Sequence, residues 1–238
     1  MQKIKHFFEP QTIVNGNNRF YQVVVLGWES SLFMLPWLFV NGLLKIAVPT
    51  FPIFCLVAAV CVFPTIGTYF HFLANKEESY AIKNYWKIWK QNFSKNAVLG
   101  IVGLAIVSIL LFEMRVILLE KNLQILAPIF TIAIIIVSGG MSHLLFRSTM
   151  KKYKRKQAIK EAFFMGTRSI GKSFLIFALI LLWLSIGYLI PLLNVLLGNG
   201  IVFALLFSIS KRTYAITFDA KHYQGFLFKR RIVNEKEK

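Results

Sequence analysis

Residues 79–118 read SYAIKNYWKIWKQNFSKNAVLGIVGLAIVSILLFEMRVIL, and both halves of this stretch bear on the fold. The second half, 97–118, is apolar for long enough to cross a bilayer, which takes about 20 mostly apolar residues per helix. Only Glu113 and Arg115 interrupt it, near its end. The first half, 79–95, is basic. In it Ile82, Tyr85, Trp86, Trp89 and Phe93 recur at three- and four-residue spacing. Lys83, Asn84, Lys87, Lys90, Gln91 and Ser94 fill the other face. That pattern predicts an amphipathic helix with an aromatic stripe and a basic face, leading into a membrane span.

Outward from this stretch, five more apolar segments have spanning length: 21–43, 51–73, 124–146, 173–192 and 198–216. The last is the most polar of them, with Ser208, Ser210, Lys211 and Arg212 in its final turns. A second amphipathic helix is expected over 153–172. There Ile159, Ala162, Phe163, Gly166 and Ile170 form a stripe behind a basic run at 151–156. Aligned at an offset of 77, Ala81-Ile82-Lys83 matches Ala158-Ile159-Lys160 and Lys95 matches Lys172. An internal repeat of span, interfacial helix and span would explain this, as would chance likeness between two basic helices. The expected class is all-α: a polytopic membrane helix bundle of about six transmembrane helices with two amphipathic cytoplasmic helices. A cytoplasmic segment 1–20 would precede the membrane domain 21–216, and a basic tail 217–238 would follow it. The first 20 residues are polar and mixed, so no cleavable signal peptide is expected.

The charges orient the bundle. The chain holds 28 Lys+Arg against 10 Asp+Glu, although 56% of it is hydrophobic. All but Lys45, Arg115 and Lys121 of the basic residues fall before the first span, after the second, after the fourth or at the end of the sixth and beyond. The positive-inside rule therefore places both termini and the two long loops in the cytoplasm, and it requires an even number of spans. Loops of this kind attract anionic lipid at the cytoplasmic face. The same rule accounts for the net charge of +18, so nucleic acid is not an expected partner.

Within the spans the ionisable residues are few. Glu29 lies about 12 Å into the first span at 1.5 Å per residue, where an acid costs a few kcal/mol unless it is paired, protonated or wet. His71 and His143 lie near the cytoplasmic ends of their spans. Glu29, His71 and His143 thus form a candidate intramembrane polar site, with a Glu29–His143 contact open to it. Tyr85, Trp86, Trp89 and Phe93 with Lys83, Lys87 and Lys90 form a candidate docking or interfacial helix. Ser138-Gly139-Gly140 with Ser142 offers a small-residue surface for close helix packing. Cys55 and Cys61, six apart in one segment, read as small apolar residues. No phosphate loop, metal-spaced cluster or nucleophile with an evident base occurs. Neither catalysis nor a cofactor is expected.

Two resemblances bear on function. Phe63-Pro64-Thr65-Ile66-Gly67-Thr68-Tyr69-Phe70, then Lys76-Glu77-Glu78, then Tyr85-Trp86-Lys87-Ile88-Trp89-Lys90-Gln91-Asn92-Phe93, resembles the YesL-like family of bacterial integral membrane proteins. The likeness extends over about residues 20–220. It implies a small multi-pass protein of a bacterial plasma membrane, often linked with carbohydrate uptake, and it assigns no catalytic or binding residue. Lys160-Glu161-Ala162-Phe163 with Gly166 is distantly similar to the cytoplasmic coupling motif of permeases in ATP-driven importers. Three roles follow as expectations: an accessory protein beside importer subunits, a transporter or permease with a polar path near Glu29, and, with least support, an enzyme acting on lipid.

Overall fold

A computed structural model describes residues 10–43, 50–75, 82–150 and 155–217. The described residues are almost entirely helical and contain no strand. The element order is α1 (Pro10–Phe33), α2 (Leu35–Leu43), α3 (Phe51–Ala74), α4 (Ile82–Leu119), α5 (Ala127–Ser148), α6 (Arg155–Arg168), α7 (Ile170–Leu189) and α8 (Asn199–Thr217). Five helical stretches are long and apolar enough to cross a membrane, or six if the bent pair α1–α2 counts as one span. The chain is an all-α polytopic bundle, as the apolar segments predict. Of the expected terminal segments, residues 1–9 and 218–238 lie outside the described residues, as do 79–81 and 151–154 of the two amphipathic stretches.

Proline shapes the spans. The first expected span, 21–43, is bent by 61° between Phe33 and Leu35. Pro36 has no N–H for the Leu32 carbonyl, and its ring crowds that turn. The helix restarts with Leu38 N–H donating to Met34 O. In α3 the turn Ala58–Val62 is a π-bulge that ends just before Pro64, with Phe63 N–H reaching back five residues to Ala58 O. The extra residue absorbs the misfit of the ring and lets the helix continue. Pro191 ends α7, and the single turn Pro191–Leu193 leads into a second π-turn, Asn194–Gly198, ahead of α8.

The first amphipathic stretch differs from its expectation. It is not a separate interfacial helix. It is continuous with the following span in one 38-residue helix, α4, about 57 Å long. No proline occurs in it, and the change from polar to apolar sequence at Lys95 does not itself interrupt backbone hydrogen bonding. The aromatic stripe is also turned largely inward. Tyr85 is fully buried, stacked on Phe33 and Phe72 at 4.9 and 5.6 Å between ring centroids. Trp89 and Phe93 are half-buried and 4.7 Å apart.

The second stretch, expected as one helix over 153–172, is broken. Ser169 leaves the helical region (φ −113°, ψ 50°), α6 ends at Arg168, and α7 starts at Ile170. The Ser173 hydroxyl spans the break and donates to Gly166 O at 2.8 Å. The buried face of α6 is Ala158, Ala162, Met165 and Gly166, whereas Ile159 and Ile170 of the expected stripe are exposed. The two halves of the proposed repeat therefore differ at the joint: α4 runs through where α6–α7 breaks.

The small-residue surface on α5 behaves as expected. Gly139 lies against Ser173, and a Cβ on Gly166 would sit 3.0 Å from Ile136 O. Helices α6 and α7 dock there at backbone distance. Arg147 and Glu161 close the α5–α6 hairpin with a 2.9 Å ion pair, and Gln157 donates to the same carboxylate. Glu161 of the importer-like motif is thus engaged within the chain.

Candidate functional site

A dense set of polar contacts lies where α1 meets the π-turn before α8. Pro191 and the wide turn release carbonyls from the regular helical pattern, and side chains of α1 take them up. Ser31 Oγ donates to Val195 O at 3.0 Å, and Trp28 Nε1 donates to Leu196 O at 3.0 Å. Asn199 then joins three helices: its Nδ2 donates to Ser31 Oγ at 2.7 Å, and its Oδ1 accepts from Trp183 Nε1 at 2.7 Å. Tyr69 OH on α3 donates to Gly200 O at 2.7 Å.

A second group adjoins it. Tyr85 OH lies 3.0 Å from Thr65 O and 3.1 Å from Ser30 Oγ, which is itself 2.6 Å from Leu26 O. Two hydroxyl protons serve three contacts here, and either group could donate in the Tyr85–Ser30 contact. In an apolar interior such bonds fix helix register, because slippage would strand polar atoms without water.

Glu29 borders this junction without joining its bonds. It lies in a groove with Val25, Trp28, Leu32, Leu35, Val195 and Leu196. It is only 7% exposed, and its Oε2 has no hydrogen-bond partner. His143 is elsewhere, on α5. Its Nδ1 pairs with Ser210 Oγ at 3.2 Å, its ring meets Tyr214 edge-on, and its Nε2 has no partner. Ser142 shares Ser210 at 3.1 Å. His71 pairs with Asn75 one turn on, at 3.0 Å. The three expected site residues are therefore not brought together, and no hydrogen bond or ion pair joins Glu29 to His143.

Substituting Glu29 by Gln should leave the melting temperature in detergent unchanged or raise it, since a charge in an apolar groove is removed and no paired group is orphaned. A clear fall would mean that the carboxylate is paired in the membrane.

The sequence reading missed Asn194 and Asn199. Asn194 is fully buried between Gly187 and Gly198, and neither of its side-chain polar atoms has a partner. A Cβ on Gly187 would come within 2.6 Å of its Nδ2. The available signal was two asparagines flanking a Gly in an apolar stretch, next to a proline.

Of the candidate docking residues, Lys83, Lys87 and Lys90 lie exposed on α4, and Trp86 is 51% exposed beside them. Trp86 stacks on Phe33 and Trp89, so it belongs to both the aromatic cluster and the surface.

A separate cavity of about 470 Å³ lies among α2, α3, α4, α5, α7 and α8. Its wall is mostly apolar, with Trp37 and Trp183 stacked at 5.2 Å on one side. Cys55 Sγ meets Ser108 Oγ at 3.5 Å, also in the wall. Among the described residues no three His, Cys, Asp or Glu side chains come together as a metal site. Comparison of the chain with protein-family models, with curated proteins and with solved structures yields no match.

Proposed function

We propose that this integral membrane protein is an accessory component of a larger membrane assembly and offers its basic helix faces to a partner on the cytoplasmic side. The observation that carries this reading is the exposed ridge of α4. Ile82, Lys83, Trp86, Lys87, Lys90, Gln91 and Ser94 are exposed along one side of α4, with Trp86 at the edge of the aromatic cluster. A half-exposed Trp among lysines suits a partner with an acidic rim and an apolar pocket. The YesL-like resemblance adds the type of assembly: subunits of an ATP-driven importer, in carbohydrate uptake, in a bacterial plasma membrane. The cavity behind Trp37 and Trp183 is mostly apolar, which favours the accessory role over a solute pathway.

The test is tagged purification in mild detergent, with mass spectrometry of the co-eluting proteins. Importer permease or ATPase subunits should appear in stoichiometric amount. The triple variant Lys83→Glu, Lys87→Glu, Lys90→Glu should lose them while its melting temperature stays within about 2 °C, because exposed charges contribute little to stability. Recovery of the chain alone from both would refute the accessory role.

One observation favours the second reading, a transporter. The bent α1–α2 pair and the π-turn place released carbonyls beside Glu29, and discontinuous helices of this kind line transport sites. On that reading Glu29→Gln abolishes uptake of a solute while the fold persists.

A further inference from the structure

The geometry points to the cavity behind Trp37 and Trp183 as a binding site for one acyl chain of a membrane lipid. This goes beyond the accessory role and does not rest on it. Well-packed protein interiors leave few voids larger than a water molecule. An apolar cavity of about 150 Å³ already stays dry and takes up benzene. This one is about 470 Å³.

Three of its polar wall groups are already engaged: Ser108 donates to Leu104 O, Thr131 donates to Ala127 O, and Ser142 pairs with Ser210. Asn41 and Ser138 are the other two small polar side chains in a wall that is otherwise mostly apolar. Water would find few partners inside, so the occupant is apolar.

The source of that occupant follows from the mouth. Leu111, Leu181 and Leu184 line the cavity and are also 40–47% exposed on the apolar surface of the spans. The cavity therefore opens sideways, towards the medium around the helices. In a bilayer that medium is hydrocarbon.

Length agrees. The α5 wall runs from Thr131 to Leu145, about 21 Å at 1.5 Å per residue. One leaflet contributes about half of a hydrocarbon core of about 30 Å. A whole acyl chain fits along the wall, so the site takes the chain of a lipid that stays anchored by its headgroup at the membrane surface.

The tryptophans supply the test. The variant Trp28→Phe, Trp86→Phe, Trp89→Phe keeps only Trp37 and Trp183, both in the cavity wall. It is reconstituted in phosphatidylcholine vesicles whose acyl chains are either plain or dibrominated. Bromine should quench the emission at least two-fold. Val107→Phe, which fills the cavity from α4, should cut that quenching by half or more, whereas Leu175→Phe, on an exposed face of α7, should not. Absence of quenching, or quenching indifferent to Val107→Phe, would overturn the proposal, the latter because contact would come only from lipid around the bundle. If the triple Phe variant does not fold, the unaltered chain carries the test. After extensive detergent washing, native mass spectrometry should find about one lipid per chain, and Val107→Phe should lose it. A chain washed free of lipid, or lipid retained equally by Val107→Phe, would overturn the proposal.

Discussion

Tyr85→Ala is expected to cost a large part of the stability of the bundle. The ring is fully buried and stacks on Phe33 and Phe72, while its hydroxyl reaches both Thr65 O on α3 and Ser30 Oγ on α1. Removing a buried aromatic ring costs about 3–5 kcal/mol through lost contacts and the cavity left behind. Whole domains are stable by only about 5–15 kcal/mol. The purified variant should aggregate on size exclusion or melt far below the parent. Tyr85→Phe separates the two contributions. It keeps the stack and loses only the hydroxyl, for about 1 kcal/mol. A Tyr85→Ala protein that melts like the parent would mean that the α1–α3–α4 contact does not hold the bundle together.

Gly27→Val and Gly200→Val should be about as damaging, for the opposite reason. A Cβ on Gly27 would sit 2.8 Å from Gly200 Cα, and one on Gly200 would sit 2.5 Å from Val23 O. The opposing atoms are backbone, so no side chain can swing aside. Overpacking of this kind costs about 1–3 kcal/mol and sometimes more. Here it also parts α1 from α8 and strains the Asn199–Ser31, Ser31–Val195 and Trp28–Leu196 bonds together. Gly42→Val is the control, because nothing lies within 4 Å of its Cβ. The pair should differ sharply in yield of monodisperse protein. Equal yields would show that the helices can separate at this crossing without loss.

These two positions also show what the sequence can reveal in a membrane bundle. Apolar length located the spans, because it reports the thickness of the bilayer. It did not separate residues that face protein from those that face lipid, since both are apolar. Leu26 is fully buried and Leu32 half-exposed on the same helix, with nothing in their chemistry to distinguish them. The marks of the interior are the small polar residues. Ser30, Ser31, Thr65, Thr68, Asn96, Asn194 and Asn199 are all buried within the protein. Attention to ionisable groups picked out Glu29 and His143 and passed over this set. The break at Ser169 carried no proline to announce it, and the composition change at Lys95 suggested a break where the helix has none. The break depends on tertiary contacts, with Gly139 and Gly166 letting α6 and α7 approach α5 closely, whereas α4 simply runs on past α3, where Gly67 packs on Asn96.

The unbroken course of α4 has a mechanical consequence. Trp86 and the lysine ridge lie near one end of the rod, while Gly103 and Val107 form part of the cavity wall further along it. No hinge intervenes to absorb a displacement. A load on the ridge is therefore carried along the unbroken helix to Gly103, which packs on Met141 in the cavity wall, and to Val107.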